Sequence, residues 1–176
     1  AGQSGPFDVD LSVPAAVPLG DETLLSTTVT STADANISNS ATVVLLTGVS
    51  NRPPVCAIAP GFAPELWPAD HRLVDIPLAA ALAVTDPDGD TVRLVVTGIT
   101  QDEPVLGPGS GNTSPDGAGA GSEVVSVRVE RAGGGNGRVY RIAYEGSDSR
   151  GGTCTGTFDV SVPHSRNGRP AQDDGQ

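Results

Sequence analysis

The sharpest hydrophobic pattern in the chain is Val125-Ser126-Val127-Arg128-Val129-Glu130-Arg131, where valine alternates with polar residues. Successive side chains of a strand point to opposite faces, so this pattern predicts a half-buried antiparallel strand with its valines inward. The same kind of reading marks Val55 to Ala59, Thr91 to Thr100, Val139 to Tyr144 and Thr153 to Val162 as strands. A longer run from Arg72 to Thr85 has room for two. Helical periodicity is nearly absent: Pro77-Leu78-Ala79-Ala80-Ala81-Leu82 has helical propensity but sits within a strand-like run and is too short to stand alone. Gly133-Gly134-Gly135-Asn136-Gly137 tolerates positive φ and predicts a hairpin between its flanking strands. About seven short strands with regular turn signals predict an all-β fold, an antiparallel β-sandwich of immunoglobulin-like size.

Pattern also divides the chain. Residues 51–164 hold the main block, and residues 165–176 are a polar tail. Residues 1–50 form an N-terminal β-strand extension. Phe7 to Val13 alternates strictly, and Thr23 to Thr32 and Ala41 to Val49 are two more candidate strands. Small sheets rarely fold alone, so these strands are expected to pack on the main block or on another copy of the chain. Pro104 to Gly121, rich in Gly, Pro, Ser and Asp, reads as a long surface loop, either merely flexible or contacting a ligand or subunit.

Composition narrows the function. The net charge is −11 and the chain has no lysine, its ten basic residues all being arginine. Nucleic-acid binding and attraction to an anionic membrane both need a basic face, so neither is expected. No apolar run approaches the roughly 18 residues of a transmembrane helix. Without lysine, the isopeptide crosslinks that lysine forms with Asn or Asp are chemically impossible. Hydrophobic residues make up 37% and aromatics only 3%, so the core is lean and draws on Val, Leu, Ala and Ile.

Cys56 and Cys154 lie near the two ends of the main block. They read as one disulfide joining its first and last strands, the alternative being two buried thiols. A structural disulfide points to an oxidising compartment. The chain opens at Ala1-Gly2-Gln3, without a basic segment leading into an apolar one, which fits a mature exported protein. The expected location is extracellular, secreted or on a cell surface.

Asp86-Pro87-Asp88-Gly89-Asp90 places three carboxylates close together. Such groups repel unless a cation intervenes, and oxygen-rich sets suit Ca²⁺. Asp86, Asp88 and Asp90 are therefore candidate calcium ligands, with Asp102, Glu103 and Asp148 as further donors at the same end of the sandwich. The competing reading is a plain β-turn, and no glutamate completes an EF-hand. Trp67, in Glu65-Leu66-Trp67-Pro68, is expected to plug the sandwich end, the alternative being a ligand or partner contact. His71 and His164 read as turn or hydrogen-bonding residues, and no nucleophile-elbow pattern accompanies them. The sequons at Asn36 and Asn112 indicate exposed segments.

Asn51-Arg52-Pro53-Pro54-Val55-Cys56, Glu65-Leu66-Trp67-Pro68, Thr85-Asp86-Pro87-Asp88-Gly89-Asp90 and Val162-Pro163-His164 together resemble the cadherin-like and immunoglobulin-like modules of bacterial secreted and surface proteins. The resemblance covers residues 51–164. It implies a β-sandwich, calcium at one end and an adhesive or structural role rather than catalysis. Such modules usually stand in tandem arrays, whereas here one module follows a β-arm. The leading expectation is a non-enzymatic structural protein, a homo-oligomer whose N-terminal strands complete a neighbour's sheet edge to build a noncovalent filament. The alternative is a calcium-stabilised monomeric adhesion or carbohydrate-binding module of a larger secreted protein, recognising a glycan or protein surface.

Overall fold

A computed structural model describes the strands at residues 22–30 and 38–46 and all of residues 51–175. The chain divides into two compact units, Ala1–Ser50 and Asn51–Gln176. In the first unit, β1 (Glu22–Thr30) pairs antiparallel with β2 (Ser38–Leu46), with Leu25 opposite Val43 and Thr30 opposite Ser38. Two of the three expected N-terminal strands are thus present. The third, Phe7 to Val13, lies outside the described residues.

The second unit is all-β apart from one helical turn. Its elements are β3 (Val55–Ile58), β4 (Leu73–Pro77), α1 (Leu78–Ala81), β5 (Leu82–Thr85), β6 (Arg93–Gln101), β7 (Gly117–Ala118), β8 (Val124–Arg128), β9 (Gly137–Ser147) and β10 (Thr153–Pro163). They pair antiparallel in the orders β4-β8-β7, β10-β9-β6 and β3-β5. The alternation read from the sequence sets which face is buried. Val125 and Val127 of β8 lie inward with Val129 beyond it, against Tyr140 and Ile142 of β9 and Phe158, Val160 and Val162 of β10. Each such buried side chain contributes roughly 1.5–3 kcal/mol of hydrophobic stabilisation. Phe62 adds an edge-on contact with Phe158, ring centroids 5.4 Å apart.

The run from Arg72 to Thr85 divides at α1, a single helical turn rather than continuous strand. Leu78 and Ala81 both point into the core, and the turn carries the chain from β4, which pairs with β8, to β5, which pairs with β3. Two edge strands are capped locally. Ser161 of β10 exchanges backbone hydrogen bonds with Pro64 and Leu66, and Val96 of β6 does so with Gly121 and Ser122. Trp67 is only part-buried, while its neighbours Leu66 and Ala69 pack on the core.

Cys56 and Cys154 form a disulfide, tying β3 to β10 across 98 residues of sequence. The segment from Pro104 to Gly121 is more than a surface loop: it contains β7, and Ser110 and Asp116 within it are buried. Gly109 and Gly133 share a backbone hydrogen bond that holds this segment to the β8–β9 connection. No helix among the described residues is long and apolar enough to cross a membrane.

Candidate metal centre and a buried charge cluster

The acidic loop joins β5 to β6. Asp86 Oδ1 accepts hydrogen bonds from the backbone N–H groups of Asp88 (2.8 Å) and Asp90 (3.1 Å), which curls the loop on itself. Gly89 closes the turn at φ +80°, a conformation that glycine adopts without steric cost. Turn and carboxylate cluster are therefore one object. One oxygen from each of Asp86, Asp88 and Asp90 lies within 4.8 Å of the others, and all three residues are part-buried.

Two further segments converge there. Arg52, just ahead of β3, donates to Asp88 from its backbone N (2.7 Å), Nε (2.9 Å) and Nη2 (2.7 Å), and to Pro87 O from Nη2. The Arg52 side chain holds the Asp88 carboxyl below the usual range. From the β9–β10 turn, Arg150 Nε stands 3.4 Å from Asp90 Oδ2. Asp148 in that turn accepts from Asn51 Nδ2 (2.9 Å) and from the backbone N–H groups of Arg150 and Gly152 (2.8 Å each). The Asn51 hydrogen bond leads in lowering its pKa. Asp148 thus lies at the predicted end of the fold, but its oxygens are engaged in shaping the turn. Asp86 Oδ2 and Asn51 Oδ1 are buried without a hydrogen-bond partner.

Asp102 and Glu103 do not join this group. They follow the C-terminal end of β6, whereas the acidic loop precedes its start. Nine residues at about 3.3 Å each put them roughly 30 Å away along the strand. Asp102 Oδ1 accepts from Val139 N (2.9 Å), and burial pushes its carboxyl pKa up. Glu103 Oε2 accepts from Ala132 N (2.7 Å) and Arg138 Nε (3.1 Å).

At that opposite end lies a group the sequence pattern did not signal. Arg138 is fully buried and donates from Nη1 to Asp116 Oδ2 (2.6 Å) and to Tyr140 Oη (3.1 Å). Tyr140 donates in turn to Arg128 O at 2.8 Å, and burial pushes its phenol pKa up to about 12. Glu130, also fully buried, meets His71 Nδ1 (2.9 Å) and the Thr113 hydroxyl, with Oε1 3.9 Å from Arg138 Nη2. His71 occupies a turn at φ +65°. His164 Nε2 reaches Gly133 O (3.2 Å), and Asn112 is exposed. Asn36 lies outside the described residues.

The two ends suit different chemistry. The Asp86–Asp90 cluster offers only oxygen donors, which fits a hard divalent cation, and it can hold a metal ion. The Arg138 group is a network of internal ion pairs that fastens the 104–121 segment to β8 and β9. No protein-family model matches the chain, and no curated protein or solved structure matches it either.

Proposed function

We propose that this chain is a structural or adhesive segment of an extracellular protein. At its centre is one disulfide-stapled module whose Asp86–Asp90 loop binds a divalent cation, calcium in an extracellular setting. The observation that carries this reading is the convergence of Asn51-Arg52, Asp86–Asp90 and the Asp148–Gly152 turn at one end of the stapled unit. A cation there would stiffen the point at which the chain passes into the second unit. The Cys56–Cys154 bond supports an oxidising location. The pairings β4-β8-β7 and β10-β9-β6 support an immunoglobulin-like arrangement of the two sheets.

Thermal unfolding of the full chain with calcium and with a chelator tests the reading. Calcium is expected to raise Tm, and Asp88→Asn to abolish the rise. A Tm indifferent to calcium would remove the cation from the account, and turnover in a broad hydrolase screen would remove the non-catalytic role.

A second reading is a noncovalent filament subunit built by strand addition. It is favoured by the pairing of β1 and β2 only with each other among the described residues, which leaves each an open edge. Under this reading the 1–176 chain polymerises, and deleting residues 1–50 stops it.

A further inference from the structure

We infer that Thr113 and Glu130 condense into an intramolecular ester, a covalent crosslink that fastens the 104–121 segment to the end of β8. The inference goes beyond the cation-binding reading and concerns the opposite end of the module.

Three side chains surround the Glu130 carboxyl, which is closed to solvent. The Thr113 hydroxyl donates to Oε2. His71 Nδ1 stands 2.9 Å from the same oxygen, and its imidazole is half exposed. Arg138 Nη2 stands 3.9 Å from the other oxygen, Oε1. Oε1 and Nη2 are both buried without a hydrogen-bond partner among the described residues. Gly111 brings its backbone against the group: a Cβ there would lie 2.8 Å from His71 Nδ1 and 3.0 Å from Glu130 Cδ. An ion-pair network accounts for Arg138 beside Asp116 and Glu103. It does not call for a hydroxyl, an imidazole and an unpaired guanidinium nitrogen around one carboxyl.

Condensation uses each of them. His71 passes a proton from solvent to Oε2, which makes the carboxyl electrophilic. Thr113 Oγ1 attacks Cδ, and negative charge develops on Oε1, where Arg138 Nη2 faces it. The Thr113 proton moves to Oε2, the Cδ–Oε2 bond breaks and Oε2 leaves as water. One C–O bond forms and one breaks, with no oxidant or second reagent. Ester formation is uphill in bulk water, but groups held in contact reach effective concentrations of about 10⁵–10⁸ M. The burial of Glu130 then shields the ester from hydrolysis.

Mass spectrometry of the folded 1–176 chain tests this, after reduction and denaturation and with chelator present so that the cation site plays no part. The chain should weigh one water less than its sequence, and Thr113→Val should restore the full mass. After trypsin, Leu94–Arg128 and Val129–Arg131 should run as one species that mild alkali separates. His71 sits at φ +65°, which asparagine tolerates, so His71→Asn should fold and lose its water about 100-fold more slowly. Full mass in the folded parent overturns the inference. So does a water loss that maps to Asp88-Gly89 or Asp116-Gly117, where an aspartate closes on its own backbone, or one that persists in Thr113→Val. An unchanged rate in His71→Asn overturns the proton's route.

Discussion

Arg138 Nη1 lies 2.6 Å from Asp116 Oδ2, and both side chains are shut off from solvent. The pair joins β9 to the segment leading into β7, so a charge contact fixes what would otherwise be a glycine-rich loop. Replacing buried ions by apolar groups can be neutral, but removing one partner leaves the other charged and unpaired. Arg138→Met removes the buried cation that Asp116, Glu103 and Glu130 share, leaving Asp116 only the longer Arg128 ion-pair contact at 3.7 Å. A loss of about 3–5 kcal/mol is expected in urea unfolding. Proteolysis between Gly107 and Gly111 should quicken in the same variant.

Tyr140 gives a signal in alkali. Its folded pKa, about 12, exceeds the ordinary phenol value of 10.0. The group therefore contributes stability that is fully present below pH 10 and is lost as pH rises through about 12. Ultraviolet titration should show one late-ionising tyrosine, with Tyr140→Phe removing that step.

Asp102 makes the opposite contribution at neutral pH. Burial raises its folded pKa above the ordinary 3.8, so its stabilising effect belongs to acid and is lost as pH rises through the folded value. Asp102→Asn keeps an acceptor for Val139 N–H and removes the buried charge. It should raise Tm at pH 7, and the gain should vanish below about pH 4.

The Cys56–Cys154 bond closes a span of 98 residues. Removing a native disulfide from a small domain costs about 2–5 kcal/mol. The double variant Cys56→Ser/Cys154→Ser should show that loss in urea, and reductant should have no further effect on it.

Valine alternation made β8 legible, because its period of two puts Val125 and Val127 on the core face, although the strand ends at Arg128 and Glu130 beyond it is buried. The disulfide was legible from the place of two cysteines in one strand-rich block. Arg138 and Glu130 were not, since charged residues are almost never fully buried unless paired, and the partners lie far off in sequence. Glu103 and Asp116 are 35 and 22 residues from Arg138. The grouping of Asp102 and Glu103 with the acidic loop failed for a reason that strand geometry contains. Residues at opposite ends of one nine-residue strand cannot share one end of a sandwich. The helical propensity of Leu78–Ala81 was legible, but not that so short a turn would stand: it serves a change of pairing partner, which local propensity does not encode.

Arg52 is the resident counter-ion of Asp88, held by its backbone and its guanidinium together. A divalent cation entering the loop competes with that guanidinium, so Arg52→Gln should tighten binding and Asp88→Asn should weaken it. Calorimetric titration of calcium into the chelator-stripped full chain tests the central claim most directly. The account predicts saturable binding of one ion per chain, stronger in Arg52→Gln and lost in Asp88→Asn. Absence of binding heat in both the parent chain and Arg52→Gln, across temperatures, would contradict it.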